Sequence, residues 1–127
     1  MTEGFPTGDS IWTMIDRNAT LERLAQDESL FGELVDFFLA DYGDLLAALS
    51  AAVSRADAAS VEQTAHRLKG MAANLGAEGL AKAAGELESM GRGGAVTKGA
   101  EAEQALRVEL RQLVGALREY REAGGGD

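Results

Sequence analysis

A chain of 127 residues, 46% hydrophobic and 26% charged, has the balance of a single globular domain large enough to bury about 60% or more of its unfolded surface. Twenty-one acidic against twelve basic residues leave a formal charge of -9, which disfavours nucleic acid and anionic membrane as partners. With no cysteine there are no disulfides, and with no basic lead, apolar leader segment or uninterrupted apolar run of 18 residues, a cytoplasmic protein is expected.

In chain order, residues 1–8 are predicted to form a flexible lead, from their glycines and the single proline, Pro6. Asp9 or Ser10 offers a cap for a short turn through Ile11–Ile15, and Leu21, Leu24 and Leu30 suggest a brief helix with Thr20 as its candidate cap. Trp12, the sole tryptophan, is expected to be a lid over one end of the fold, with an exposed contact residue as the alternative. Asp27 then caps a long helix running to about Val53, with Phe31, Leu34, Val35, Phe38, Tyr42, Leu45, Leu49 and Val53 at 3–4 spacing. Phe37 lies off the centre of that stripe, as core edge or as part of a docking surface. Ser54–Ala56 make a turn, Asp57 caps the next helix, and Gly76 supplies the left-handed position that ends it near Leu75.

A fourth segment from Ala77 to about Met90 carries Leu80, Ala83, Ala84, Leu87 and Met90 at helical spacing, with Gly79 and Gly85 allowing close helix approach. Residues 91–99 (GRGGAVTKG) read as a loop, and without a Gly-Lys-Ser/Thr ending or a preceding strand they are not a nucleotide cradle. Thr97 is the candidate cap of a last helix reaching about Arg121, before a frayed tail. The expected organisation is a lead (1–8), a helical domain (9–122) and a flexible tail (123–127). Four substantial helices with short connections predict an all-α, up-down-up-down antiparallel four-helix bundle with a short N-terminal helical cap, complete as a monomer.

The only histidine lies in the third segment. At about 100° per residue, Val61, Ala65, Leu68, Ala72 and Leu75 form one narrow stripe, and His66 points well away from it toward water. Lys69 and Gly70 share the histidine's face at i+3 and i+4. Glycine inside a helix costs about 1 kcal/mol relative to alanine, so Gly70 invites a reason, and clearance for something approaching the ring is the simplest. One histidine without cysteine is too few ligands for a metal site, and no serine motif or phosphate loop accompanies it. The surviving chemistry is a histidine that accepts a phosphoryl group and passes it on, with an inert surface histidine as the alternative.

His66-Arg67-Leu68-Lys69-Gly70, followed by Ala73-Asn74-Leu75-Gly76, Leu80-Ala81 and Leu87-Glu88, resembles the histidine-containing phosphotransfer (HPt) domain of phosphorelays. The resemblance covers roughly Leu21 to Tyr120. It implies that His66 is the phosphoacceptor, that Lys69 stabilises phosphoryl charge and Gly70 gives steric clearance, and that Leu68, Asn74 and Gly76 are structural. It implies as partners a response-regulator receiver domain and a hybrid histidine kinase, with no cofactor bound by the chain and Mg²⁺ brought by the receiver. Such a domain is a phosphocarrier rather than a self-sufficient enzyme. Met71 departs from the small residue many members carry there. Glu62, one turn before His66, is a candidate for fixing the ring's tautomer, with a solvated glutamate as the alternative and Gln63 a weaker candidate. Two other classes stay open: a non-transferring helical adaptor that binds a receiver or kinase, and a dimerising kinase bundle, which requires an ATP-binding domain.

Overall fold

The computed structural model describes residues 10–126. The expected lead and the candidate cap Asp9 lie outside them. A 3-10 turn, Ser10–Thr13, and helix α1, Arg17–Arg23, precede four long helices: α2 (Glu28–Ser54), α3 (Ala58–Leu75), α4 (Glu78–Arg92) and α5 (Gly99–Glu122). The fold is all-helical, as predicted; among the described residues the one strand-like pairing is an isolated antiparallel bridge between Ile15 and Ala77.

Local chemistry sets the helix starts. The Asp27 carboxylate accepts from the Leu30 amide at 3.0 Å and that of Asp57 from the Ser60 amide at 3.2 Å, each satisfying a donor that has no partner within its helix. The Ser60 hydroxyl and then its amide hold the Asp57 carboxyl below its ordinary range. Gly76, at φ 78°, ends α3 in the left-handed conformation that glycine adopts without a Cβ penalty.

Three expected boundaries are corrected. Thr20 is no cap: Asp16 caps α1 by accepting from the Ala19 amide, and Thr20 is buried inside that helix with its hydroxyl against Gly76. Helix α4 runs through Gly91 to Arg92, beyond the predicted start of the loop, because Gly91 lies where α4 meets the first turn of α3. Thr97 does not cap α5, which starts after Lys98 with no side-chain cap bond. Residues 124–126, assigned by sequence to the tail, fold back so that Gly126 packs on Gly32 of α2.

The long helices contact one another in the cyclic order α2, α3, α4, α5 and back to α2. Cross-helix pairs run in opposite senses along two of these seams: Glu62 with Arg92 and His66 with Glu88 on α3–α4, and Ser50 with Arg107 and Tyr42 with Arg118 on α2–α5. Both seams are therefore antiparallel. Phe31, Phe38, Leu49, Leu68, Leu75, Leu87, Leu106 and Leu113 fill the shared core. Among the described residues α2 alone is long and apolar enough to cross a membrane by length and composition, although charged residues interrupt its apolar run; here Phe31, Val35, Phe38, Leu45 and Leu49 turn into the bundle. Trp12 is the predicted lid, its ring centroid 5.6 Å from Phe31 and 5.5 Å from Tyr120 at one end of the core.

Candidate functional site

The site begins with how closely α3 and α4 approach. A Cβ placed on Gly91 would lie 2.5 Å from the Glu62 nitrogen and 2.7 Å from the Ala58 carbonyl oxygen, so only glycine lets the two backbones meet there. One turn earlier on α4, that proximity brings Glu88 beneath the exposed face of α3.

Glu88 lies on the same stripe of α4 as Leu80, Ala84 and Leu87, and its side chain is only 6% exposed. A carboxylate this buried requires partners, and three basic groups converge on it. Its Oε2 is 2.6 Å from His66 Nδ1 and accepts from Arg92 at 3.1 Å, while Oε1 accepts from Lys69 Nζ at 3.1 Å. The Lys69 hydrogen bond first, and then that of His66, hold the Glu88 carboxyl below its ordinary range against the opposing effect of burial. An ionised carboxylate only accepts, so Nδ1 is the nitrogen that carries the proton in this contact. In the neutral ring the lone pair is then on Nε2. The His66 side chain is 68% exposed, and Nε2 has no hydrogen-bond partner among the described residues. This is a nucleophilic nitrogen facing solvent on a ring whose rotation is fixed from below.

Of the sequence candidates, His66, Lys69 and Gly70 share one surface. Lys69 is tethered to Glu88 and half exposed, within its side chain's reach of the ring. A Cβ on Gly70 would meet nothing within 4 Å, so no packing within the described residues demands glycine at that position. Glu62 is not the ring's partner. It accepts from Arg92 Nε at 3.0 Å, which draws it toward α4, and Glu88 takes the role expected of it. Gln63 is exposed and makes no hydrogen bond to the ring among the described residues. Leu68 is in the core, Gly76 forms the left-handed cap, and the Asn74 carbonyl accepts from Arg23. Met71 packs against the core and, with Asn74 of α3 and Leu34 and Phe37 of α2, lines a small cavity of about 50 Å³. Phe37 itself is 67% exposed, which resolves its two readings in favour of surface.

Sequence reasoning missed Glu88 and Arg92 as members of the site. The available signal was Glu88 itself, a charged residue on the apolar stripe of an amphipathic helix.

Residues 33–120 match the family model described as the Hpt domain. Among solved structures, the chain is similar to the crystal structure of histidine-containing phosphotransfer protein B (HptB) from Pseudomonas aeruginosa PAO1. The TM-score is 0.78 at 27% sequence identity, over 86% of this chain and 95% of that one. A comparison with curated proteins found no match.

Proposed function

The chain belongs to the Hpt domain family, and from that premise we propose that His66 relays a phosphoryl group to and from the aspartate of a response-regulator receiver domain. Hpt domains work in two-component signalling, and histidine phosphotransfer is the activity that membership supports. The observation carrying the reading is the contact of Glu88 with His66 Nδ1, which leaves Nε2 as the exposed nucleophile.

In the forward step the Nε2 lone pair attacks the phosphorus of the receiver's aspartyl phosphate. The N–P bond forms as the P–O bond breaks, and the aspartate leaves with that electron pair. The ring becomes a phosphorylated imidazolium that keeps its Nδ1 proton, and the adjacent Glu88 carboxylate balances its positive charge. Return transfer reverses each movement. Lys69 is near enough to shift from Glu88 toward the phosphoryl oxygens, and Gly70 leaves room above α3 for the receiver's backbone. Phosphoryl transfer needs further neutralisation of the equatorial oxygens, and in this reading Mg²⁺ arrives with the receiver's acidic pocket. Phe37, exposed beside Met71 and Asn74, supplies apolar contact for the docked receiver across α2 and α3. The domain then works as a phosphocarrier between a receiver and a hybrid histidine kinase.

The test is transfer of labelled phosphate from a panel of phosphorylated receivers, with Mg²⁺, to the wild type and to His66→Gln. Acid-labile, base-stable label on the wild type alone is the expected result. Binding of a receiver without transfer to the wild type would favour a regulatory adaptor instead.

A further inference from the structure

The α2–α5 seam, across the bundle from the α3–α4 seam, opens into a groove with a cavity volume of about 410 Å³. Two side-chain clasps bound it. At one end Arg107 reaches Ser50 and Glu103, and at the other the Arg118 guanidinium donates to the Tyr42 hydroxyl at 3.2 Å. Arg111 stands between them with no partner among the described residues. Glu103 balances the charge of Arg107, but Arg118 reaches only a neutral oxygen and Arg111 reaches none. A chain with a net charge of -9 thus presents two unbalanced arginines along one groove.

Leu46, Leu110 and Val114 form the apolar lining, and on the α5 side Gly115 leaves a gap among the side chains. A Cβ on Gly115 would meet nothing within 4 Å. Glycine costs a helix interior about 1 kcal/mol relative to alanine, and this one is not required by packing against the described residues. It lets another backbone lie close to this seam. The unbalanced pair, Arg111 and Arg118, stand about two turns apart on α5, roughly 10 Å at 1.5 Å per residue. A small anion would engage one of them, whereas a helix with carboxylates two turns apart would engage both.

We propose that the α2–α5 groove docks an acidic amphipathic helix of a partner protein, independently of the face that presents His66. Its apolar stripe lies over Leu46, Leu110 and Val114, and its Asp or Glu side chains pair with Arg111 and Arg118. Leu110 and Val114 are already largely buried, so this lining adds modest apolar area and the arginines dominate recognition. Affinity therefore falls as salt rises. Because the two seams lie on opposite sides of the bundle, a receiver over His66 leaves the groove open, and the chain can hold both partners at once.

The experiment titrates the full ¹⁵N-labelled chain with a stapled helical peptide of leucine and glutamate at 3–4 spacing, followed by amide chemical shifts. Expected are saturable shifts at Leu46, Leu110, Val114 and Gly115. They weaken about tenfold in the double variant Arg111→Glu, Arg118→Glu and are lost in Gly115→Leu, with phosphate transfer to His66 unchanged by saturating peptide. Gly115→Leu replaces an exposed helical glycine, so thermal melting should show a fold at least as stable as the wild type. No saturable shift at millimolar peptide, shifts that map elsewhere, or equal affinity in the arginine variant would each overturn the proposal.

Discussion

The two antiparallel seams differ in what holds them together. Along α3–α4, backbone meets backbone at Gly91, and the side chains above it form one connected network of Glu62, Arg92, Glu88, His66 and Lys69. Along α2–α5 the helices stand far enough apart for side-chain clasps and a groove. The contrast shows where a fixed geometry can be built. A ring nitrogen held 2.6 Å from a buried carboxylate needs two helices that cannot slide, and the tight seam provides them. The open seam leaves its polar groups within reach of an outside partner.

The largest effect is expected from forcing the tight seam apart. Gly91→Val places a branched side chain against the α3 backbone and should cost about 1–3 kcal/mol or more, lowering the melting temperature by several degrees. Transfer to His66 should fall with it. Gly115→Ala, which adds a side chain on the open seam, should stabilise by up to about 1 kcal/mol and leave transfer unaltered. Equal losses in the two variants would erase the distinction between the seams.

Next comes Glu88. Glu88→Ala removes the Nδ1 acceptor, so ¹⁵N shifts of the His66 ring should show the tautomers redistributing and transfer should slow about tenfold or more. Glu88→Gln keeps an acceptor but not the charge, and should fall between wild type and alanine. The same pair reports on stability. The folded carboxyl of Glu88 is held below its ordinary value of 4.5, so its contribution is fully present above that value and is lost as pH falls through the depressed one. The melting-temperature difference between wild type and Glu88→Gln should therefore shrink as pH is lowered below about 4.5. A difference independent of pH would remove the charge from the account.

The last variant belongs to Gly70. Gly70→Ala meets open space and gains helix propensity, so melting should rise slightly, by up to about 1 kcal/mol in stability, while transfer from a receiver slows. A stabilised variant that transfers at the wild-type rate would leave this glycine without a role in partner approach.

What the sequence could reveal follows from the range of each signal. Asp27, Asp57 and Gly76 act within one helix turn, and the ends they were expected to set are the ends observed. His66 was legible as an exposed residue because angle around a helix is a local property. Glu88 is 22 residues from His66, and its place beneath the ring depends on the register of two helices, which periodicity does not carry. Glu62 is one turn from His66 on the same helix, a local relation visible in the sequence, whereas its pairing with Arg92 of α4 is not. Gly91 reads as a breaker by propensity, but the close packing of α3 makes it the residue that lets α4 continue. The arginine row of the groove was missed in the same way. Residues 107, 111 and 118 are dispersed in sequence and align only once α5 is helical beside α2.

The most direct measurement is ¹⁵N and ³¹P NMR of the chain with ¹⁵N-labelled His66 after transfer from a phosphorylated receiver. The account predicts phosphorus bonded to Nε2, with Nδ1 still protonated against Glu88. Phosphorus on Nδ1, or none on the ring while a bound receiver keeps its phosphate, would contradict it.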